Sequence, residues 1–247
     1  MRIPVIIAAH NEATYISRTL DALPLEFYEP IVVANGCTDA TAEVAFDRNA
    51  TVIEAAEAAK LPALQIGVKS LGGRALEGFL LTDADSLPIL PKYWGKTMIK
   101  MLPKDRGGTV AGPLIHIDGK FQDCLYNSVS IVRAQTKRWY SNETFMCGNN
   151  MAVRLHTDDA LDEFLRMPNI WPGEDAAISK MVYKHGGFAR QLVDPRALVM
   201  TSTRYAPKLS DRIRLGAEAT HMSREAHYIQ RAPQGSRPLQ PNSRLGY

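Results

Sequence analysis

The sequence predicts an α/β fold with a mainly parallel central sheet flanked by helices. The first half of the chain alternates short apolar runs with stretches whose apolar residues recur at helical spacing. That alternation implies crossover connections between parallel strands. Polar clusters follow several of the apolar runs directly, and such sheets bind ligands beyond the carboxyl ends of their strands. With 247 residues, 45% of them hydrophobic and 22% charged, the chain is long enough for one sizeable domain.

The predicted elements of the first half follow in chain order. Strands are expected over residues 2–9, 30–34, 51–54, 78–82 and 109–117, which are rich in apolar side chains. Helices are expected over residues 13–23, from Thr38 or Asp39 to about Asp47, and over residues 61–71 and 91–102. Thr38 and Asp39 are suitable N-cap residues, and Gly72-Gly73 is a typical helix end.

The second half is less regular. Helices are expected over residues 121–140, 155–167 and 172–186, and strands over residues 189–193 and 197–201. We therefore predict one domain over residues 1–203 and a C-terminal extension over residues 204–247, with a helix at 208–230 and a mobile tail. The extension has eight Arg and Lys against three Asp and Glu, so the overall net charge of +3 originates there.

Composition excludes several classes of protein. The apolar run after Met1 is interrupted at Asn11, too early for a secretory signal, and no window is long and apolar enough for a membrane span. The three cysteines fit neither a zinc site nor a disulfide framework, so we expect them to be reduced in a cytoplasmic protein. Peripheral association with a membrane stays open, because the C-terminal extension is basic.

The strongest chemical motif is Asp83-Ala84-Asp85, which follows the apolar run ending at Thr82. Two carboxylates at a strand end can hold a hard divalent cation such as Mg²⁺ or Mn²⁺ and leave positions open for diphosphate oxygens. An Asp-rich turn that caps the next helix is the simpler interpretation. The position directly after a strand of a parallel sheet favours the metal site.

Two further motifs lie in the second half. Trp171-Pro172-Gly173-Glu174-Asp175 places two acids at a predicted helix start, where they either complement the helix dipole or provide a general base. Gly148-Asn149-Asn150 combines a residue that permits close backbone approach with two amides that can bind hydroxyl groups. A polar turn is the simpler interpretation of that second motif.

The order of these motifs resembles family 2 glycosyltransferases, which have the nucleotide-sugar-binding GT-A fold. The segments that carry the resemblance lie over about residues 3 to 200. They are Ala8-Ala9-His10-Asn11-Glu12, Ala34-Asn35-Gly36-Cys37-Thr38-Asp39, Lys60-Leu61-Pro62-Ala63-Leu64-Gln65-Ile66-Gly67, Asp83-Ala84-Asp85, Cys147-Gly148-Asn149-Asn150-Met151-Ala152-Val153-Arg154, and Gly173-Glu174-Asp175. No window of the sequence is long and apolar enough for the membrane helices of the processive synthases, so a single sugar transfer is expected rather than polymerisation.

The resemblance implies a role for each segment. Asp85 would be the main metal ligand, and Asp83 would contact the ribose or the metal. Asp175 would be the general base, with Glu174 beside it, in an inverting transfer to an acceptor hydroxyl. The remaining implied contacts are to the nucleotide-diphosphate sugar, and the residues expected to make them are Ala8, His10, Glu12, Asn35, Lys60, Asp83, Ala84, Gly148, Asn149, Asn150 and Arg204.

One departure from the family pattern concerns the nucleobase. Ala34-Asn35 replaces an acidic pair whose carboxylate often binds a base N–H. The Asn35 carbonyl can accept the same hydrogen bond and its amide can donate to a base carbonyl. A UDP-sugar is therefore favoured and a GDP-sugar stays open, while the acceptor is expected to be a small molecule, a glycan or a lipid-linked compound, and a nucleic acid is disfavoured.

Several alternatives remain open. His116, His221 or His227 could supply a third metal ligand, and Arg204 could bind diphosphate oxygens. The basic extension is a solvated surface, a lid over the donor, or a contact for an acidic partner. A retaining transferase and a non-enzymatic nucleotide-sugar-binding module are the rival functions. A nucleotidyltransferase and a dinucleotide-dependent oxidoreductase are disfavoured, because neither a Gly-rich basic loop nor Gly-x-Gly-x-x-Gly follows the first strand.

Overall fold

The structure, a computed structural model, describes residues 2–116, 149–170 and 173–202. The strands within these ranges are β1 (Ile3–Ala9), β2 (Tyr28–Asn35), β3 (Thr51–Ala55), β4 (Phe79–Asp83), β5 (Leu87–Pro88), β6 (Gly108–Ala111), β7 (Leu114–His116), β8 (Asn150–Arg154), β9 (Phe188–Gln191) and β10 (Val199–Thr201). The α-helices are α1 (Ala13–Asp21), α2 (Thr41–Phe46), α3 (Lys60–Leu71), α4 (Pro91–Lys100), α5 (Asp158–Arg166) and α6 (Glu174–Lys184). Short 3-10 helices span Gly72–Leu76 and Pro195–Ala197.

The main sheet has seven strands in the order β3-β2-β1-β4-β8-β6-β9. Strands β1 to β4 are parallel to one another, and β9 is parallel to β6. Strand β8 is antiparallel to both β4 and β6. The predicted mainly parallel α/β sheet is confirmed, and the reversal of β8 brings its first residue to the edge where β1, β2 and β4 end.

Two apolar layers cover the two faces of this sheet. Alternate residues of β1 belong to different layers: Val5 and Ile7 pack on one face, and Ile6 on the other. Helices α1 and α4 contribute Ile16 and Trp94 to the first layer. The helices α3, α5 and α6 contribute to the second layer. Since every residue of β1 from Val5 to Ile7 is fully buried, the strand reads as a continuous apolar run.

The predicted strand at 109–117 is wrong as a single element. The structure divides it into β6, in the main sheet, and β7, in a second sheet with the order β5-β10-β7. The chain changes sheet at Gly112-Pro113. A Cβ on Gly112 would lie 2.3 Å from the Asn150 amide nitrogen and 2.4 Å from the Ala197 carbonyl oxygen, so only glycine fits there. Proline has no N–H with which to continue the β6 ladder.

Other predictions agree in kind and differ at the ends. The helix expected at 155–167 begins later, where Thr157 caps it through a hydrogen bond from the Ala160 N–H. The two-residue strand β5 was not predicted, since it is too short to show a period. The helices expected at 121–140 and 208–230, the tail, and therefore the C-terminal extension lie outside the described residues. No helix among the described residues is long and apolar enough to cross a membrane.

Helix α3 packs so closely on the sheet that Gly67 has no room for a side chain. A Cβ there would lie 2.5 Å from the Ile6 Cγ2, whereas a Cβ on Gly73 would meet nothing within 4 Å. We expect Gly67→Ala to lower the free energy of unfolding by about 1–3 kcal/mol through overpacking, despite the better helix propensity of alanine. Gly73→Ala is the matched control and should be neutral or stabilising by up to about 1 kcal/mol. Urea denaturation monitored by circular dichroism measures both, and equal effects would contradict the packing argument.

Candidate active site

The sequence motifs converge on one edge of the main sheet. Strands β1, β2 and β4 end there at Ala9, Asn35 and Asp83, and the antiparallel strand β8 begins there at Asn150. The start of α6 approaches the same edge, because Glu174 reaches the Lys60 ammonium at the start of α3. Sheet topology therefore brings together segments that are separated by more than a hundred residues in the chain.

Lys60 connects two of the predicted motifs. Its ammonium nitrogen lies 2.8 Å from the Asp83 Oδ1 and 3.1 Å from the Glu174 Oε1. Only 20% of the Lys60 side chain and 6% of the Glu174 side chain are exposed, while Asp83 is 31% exposed. One cation thus holds two carboxylates from different elements. The resemblance implied donor contacts for Lys60, and the structure adds that it fixes both acids.

The charge of Lys60 is secured by its surroundings. Burial by itself would favour the neutral amine, but the attraction and hydrogen bonds of Asp83 and Glu174 outweigh it and raise the pKa of Lys60 above its ordinary value. The stabilisation from this charge is therefore present throughout the neutral range. This stabilisation is lost only as the pH rises from the ordinary pKa of lysine through the higher pKa of Lys60 in the folded protein.

Asp85 lies in the turn after β4 and is held from the second sheet. The Thr201 hydroxyl donates to the Asp85 Oδ1 at 3.2 Å, and the hydroxyls of Thr201 and Ser86 are 3.5 Å apart. The Ser86 N–H donates to the Asp83 carbonyl at 3.2 Å and closes the turn. Asp85 remains half-buried. The Asp83-Ala84-Asp85 motif is thus an ordered turn between the two sheets, and the carboxylates of Asp83 and Asp85 both have defined neighbours.

The two acids at the start of α6 differ in their surroundings. Glu174 is buried, its Oε1 is paired with Lys60, and its Oε2 accepts from the Gly173 N–H at 3.2 Å. Asp175 is half-buried, and its Oδ1 accepts from the Ala176 N–H at 2.7 Å. Glycine at position 173 is required by its φ of +113°. Glu174 is therefore a fixed anion with both oxygens engaged, and Asp175 is the less buried of the two acids.

Asn150 differs from its predicted role as a donor contact. Its side chain is fully buried, its Oδ1 accepts from the Trp94 indole N–H at 2.8 Å, and its amide donates to the carbonyls of Pro113 and Ala197 at 2.9 and 2.8 Å. Both amide hydrogens are therefore engaged inside the protein. Asn150 joins α4, Pro113 and the 3-10 helix before β10. Its side chain therefore holds these segments together and is not free to contact a ligand.

The loops after β1 and β2 are held together by side chains. The Asn11 Oδ1 accepts from the Thr38 N–H at 2.8 Å, and the Asp39 carboxylate accepts from the N–H groups of Ala13 and Thr41. Burial alone would raise the pKa of Asp39, but the hydrogen bonds from Thr41 and Ala13 lower it. Asp39 thus binds the first turns of two helices. The sequence predicted Asp39 as a possible cap of α2, but its hydrogen bond to the start of α1 was not predicted.

His10 and Asn35 lie side by side at the ends of β1 and β2. The His10 Nδ1 donates to the Asn35 carbonyl at 2.7 Å, so the ring is exposed in a fixed orientation. The side-chain oxygen of Asn35 is buried and has no hydrogen-bond partner in the described part of the chain. A buried acceptor without a donor costs about 1–3 kcal/mol, so an N–H group that reached it would be bound favourably.

The remaining predicted contacts lie close to this edge. Ala8 pairs with Asp83 across the sheet, and Glu12 is buried at the start of α1. The Ala84 carbonyl points inward and accepts from the Thr19 hydroxyl at 2.7 Å. The Asn149 carbonyl accepts from the Thr82 hydroxyl at 2.9 Å. The structure therefore places Ala8 and Glu12 beside the motifs and directs the backbone oxygens of Ala84 and Asn149 towards internal partners.

Other predicted residues lie outside the described part of the chain: Gly148, Trp171, Arg204, His221 and His227. His116 ends β7, and the sheet register places it opposite Thr201. Among residues 2–116, 149–170 and 173–202, no group of three or more His, Cys, Asp or Glu side chains could hold a metal ion. Thr201, which donates to Asp85, was predicted only as the last residue of the strand at 197–201.

A sequence model of glycosyl transferase family 2 matches residues 5–161, well over half of the chain. No curated protein gives a significant sequence match. The match includes β1 to β8 and the Lys60 and Asp83 segments, and it ends before α6. It confirms the family to which the motif order pointed.

Solved structures of glycosyltransferases share the fold. A mannosyltransferase from Pyrobaculum calidifontis in complex with GDP-Man and Mn²⁺ has a TM-score of 0.60 at 20% identity, over 93% of this chain and 62% of that one. Mannosyl-3-phosphoglycerate synthase from Rubrobacter xylanophilus has a TM-score of 0.55 at 17% identity, over 100% and 80%. Glucosyl-3-phosphoglycerate synthase from Mycobacterium tuberculosis, with Mn²⁺ and UDP-Glc, has a TM-score of 0.53 at 15% identity, over 95% and 80%. The predicted fold class is confirmed, and this chain spans less than two thirds of the first of these proteins.

The ion-pair arrangement around Lys60 generates a stability prediction. Lys60→Met should lower the free energy of unfolding by about 2–3 kcal/mol, because it leaves two neighbouring carboxylates without their cation. Lys60→Arg keeps the charge and should recover most of the loss. Since the pKa of Lys60 is raised, the difference between wild type and Lys60→Met should stay constant between about pH 7 and 9. Urea denaturation at several pH values measures this, and an equal loss in both variants would show that packing, not charge, is what Lys60 contributes.

Proposed function

Because the chain belongs to glycosyl transferase family 2, we propose that it transfers a single sugar from a nucleotide-diphosphate donor to an acceptor hydroxyl in a metal-dependent, inverting reaction. The observation that carries the proposal is the position of Lys60, which ties the Asp83 segment to the start of α6 at distances of 2.8 and 3.1 Å. A donor-side motif and an acceptor-side acid are thereby fixed beside each other.

The nucleoside end of the donor is assigned to the ends of β1 and β2. The His10 ring is exposed and oriented by its bond to the Asn35 carbonyl, so it offers a flat surface for a base. The unpaired Asn35 Oδ1 supports recognition of a base N–H, after a small displacement that opens it to the ligand. Uracil and guanine both present an N–H beside a carbonyl oxygen, which an asparagine can match. A UDP-sugar is favoured and a GDP-sugar is the second choice.

The metal requirement rests on the donor set at the end of β4. Carboxylate oxygens suit Mg²⁺ or Mn²⁺, and the half-buried Asp85 lies in the turn after β4, where its Oδ1 accepts from the Thr201 hydroxyl. Asp83 already has one oxygen on Lys60, so Asp85 is the main ligand and Asp83 faces the ribose or completes the coordination shell. Such an ion, when bound, neutralises charge on a departing diphosphate. The proteins from Pyrobaculum and Mycobacterium named above were solved with Mn²⁺, which supports this choice.

The base is assigned to Asp175 rather than to Glu174. Glu174 is buried and both of its carboxylate oxygens have partners in Lys60 and Gly173. Asp175 is half-buried at the same helix start and can face an acceptor hydroxyl. The carboxylate takes the hydroxyl proton as the acceptor oxygen attacks the anomeric carbon from the side opposite the diphosphate. Glu174 and Lys60 hold the turn that positions Asp175.

Two alternatives make different predictions. In a retaining transferase Asp175 would orient the acceptor without accepting its proton, and NMR of the product anomer separates the two outcomes. A non-enzymatic binding module would bind the donor and leave it intact. The ordered surroundings of Asp83, Asp85 and Glu174 favour the enzyme, because a site that only binds has no need of an acceptor-side acid.

The first experiment is a thermal-shift panel of nucleoside diphosphates and their sugars, with and without Mn²⁺. We expect one nucleotide to raise the melting temperature in a Mn²⁺-dependent way, since a ligand at 100 times its dissociation constant stabilises the fold by about 2.7 kcal/mol. A response to UDP compounds would identify the favoured donor class. A flat response to every nucleotide, with and without metal, would overturn the proposal.

Asp85→Ala should weaken Mn²⁺ binding in the presence of a nucleoside diphosphate by at least about tenfold, because a direct ligand is lost. Electron paramagnetic resonance of free and bound Mn²⁺ measures the change without any turnover. Asp105→Ala is the control, since Asp105 is an exposed acid in the loop after α4. Unaltered Mn²⁺ affinity in Asp85→Ala would remove Asp85 from the proposed metal site.

Asp175→Asn should lower the transfer rate by about 10²–10⁴-fold while the affinity for the donor changes little, because only proton acceptance is lost. Asp159→Asn is a matched control, since it removes one acid from the first turn of α5 in the same way. Release of the nucleoside diphosphate measures donor hydrolysis and transfer. Calorimetry measures the affinity for the donor. Full turnover in Asp175→Asn would sink the assignment of the base.

A further inference from the structure

The outer face of the second sheet is apolar. Register pairs Met200 of β10 with Leu87 of β5 on one side and with Ile115 of β7 on the other. The Ile89 N–H donates to the Leu198 carbonyl at 3.0 Å, which extends the pairing of β5 and β10 by one residue. Because side chains alternate along a strand, five apolar residues share this face: Leu87, Ile89, Ile115, Leu198 and Met200.

This face is not covered by the described part of the chain. All five side chains are half-buried or exposed, with Ile89 at 38% and Ile115 at 36%. The opposite face of the same sheet carries Pro88, Val199 and Thr201, which are all buried. The sheet therefore has an ordinary inner face against the core and an outer face whose composition is equally apolar.

Helix α4 adds a basic surface beside this face. The chain from Ser86 to Lys104 contains no Asp or Glu, and its four lysines are spaced four residues apart: Lys92, Lys96, Lys100 and Lys104. At about 100° per residue, the first three lie within roughly 80° of one another on α4, on the same side as Tyr93. These residues are exposed, whereas Trp94, Gly95 and Met98 face the core.

The apolar residues continue into this helix. Leu90 is 41% and Tyr93 is 56% exposed, next to Ile89. Four of the seven large hydrophobic residues that are exposed in the described chain therefore lie in this one region: Ile89, Leu90, Tyr93 and Ile115. Single exposed hydrophobic residues are normal on a protein surface, but a cluster of this kind marks an interaction site.

Nearby acids do not cancel the lysine charge. Asp194 precedes the 3-10 helix that packs against α4, but its carboxylate is paired with Arg196 at 2.7 Å. Glu26 is an exposed acid next to Phe27, whose ring lies 3.9 Å from the Lys96 ammonium. Among the described residues, one acid outside an ion pair therefore stands against three lysines, which leaves the helix face net positive.

We propose that this apolar–basic surface, formed by Leu87, Ile89, Leu90, Tyr93, Ile115, Leu198 and Met200 with Lys92, Lys96 and Lys100, docks the protein on a bilayer that contains anionic phospholipids. The apolar side chains enter the boundary between headgroups and acyl chains, and the lysine ammonium groups reach lipid phosphates on their flexible stems. A bilayer suits this surface better than a protein groove. The lysine charges are spread along the length of α4 and are not gathered around one point, as the recognition of a single charged group would require.

Docking on this surface has a consequence for the candidate site. Thr201 of β10 donates to Asp85, so the sheet that carries the apolar face also holds the end of the metal motif. Only three residues separate Asp85 from Ile89. The site would therefore open close to the bilayer surface. The docking itself requires neither a metal nor a donor and does not depend on the proposed function.

The test is co-sedimentation of the full chain with phosphatidylcholine vesicles that contain phosphatidylglycerol. We expect binding that weakens with added salt and is much weaker on pure phosphatidylcholine. The double variant Lys92→Glu/Lys100→Glu should bind at least about 25-fold more weakly, at about fivefold for each lysine charge removed. Leu90→Ser/Tyr93→Ser should bind about tenfold more weakly on the same vesicles.

Matched controls separate this surface from general charge and hydrophobicity. Arg18→Glu/Lys69→Glu changes the net charge by the same amount on α1 and α3, and Phe46→Ser removes a large hydrophobic residue whose exposure, 73%, is the highest among the described residues. These variants should bind like the wild type. Thermal melts show whether each variant is folded.

Three results would overturn the proposal. In the first, the wild type does not bind the anionic vesicles. In the second, the α4 variants bind as tightly as the controls, which would assign the binding to the basic residues 204–247. Light scattering could instead show a dimer that Leu90→Ser/Tyr93→Ser dissociates, which would assign the surface to a second copy of this chain.

Discussion

The ammonium group of Lys60 sits where three parts of the chain meet, and the arrangement of the candidate site depends on it. The ammonium contacts the end of β4 through Asp83 and the start of α6 through Glu174, and Lys60 is the first residue of α3. Two carboxylates so close together would repel each other without a cation between them. Removing charges from water is costly, so a partly buried trio of this kind is retained for geometry more than for stability.

Strand β8 gives this arrangement its frame, because side chains fix it at both ends. At the site end, Asn150 bonds Trp94 and two backbone carbonyls. At the far end, the Arg154 guanidinium donates to the carbonyls of Glu77, Leu102 and Pro103, and burial lowers the pKa of Arg154. Each polar group is satisfied internally, which removes the cost of burying it. Both ends of β8 are thereby anchored to neighbouring described segments of the chain.

The second sheet links the site to the surface of the protein. Its inner face supplies the Thr201 hydroxyl to Asp85, while its outer face presents Met200 and its neighbours to the exterior. The sheet exists because the chain leaves the main sheet at Gly112-Pro113, where a side chain would collide with Asn150. The change of sheet at this glycine therefore accompanies both the Thr201–Asp85 hydrogen bond and the exposed apolar face around Met200.

The sequence by itself determined the α/β class, most of the elements and the motifs, because continuous apolar runs, helical spacing and polar strand ends are local signals. It also identified Asp83, Asp85, Glu174 and Asp175 as the acids of interest. It could not determine which of them are paired, since Lys60 and Glu174 are more than a hundred residues apart and meet only through the sheet order.

The tertiary structure alone decided three things. Asn150 became an internal anchor because its amide is enclosed by Trp94 and two carbonyls, although its sequence context resembled a ligand-binding loop. The strand expected at 109–117 became two, because the fit of Gly112 against Asn150 and Ala197 is a contact between distant segments. The apolar face around Met200 is visible only when three short strands are aligned, since each is too short to show a period of its own. The local sequence pattern determines which helices and strands form. Packing between distant residues determines which polar side chains have partners inside the protein and which remain available to a ligand.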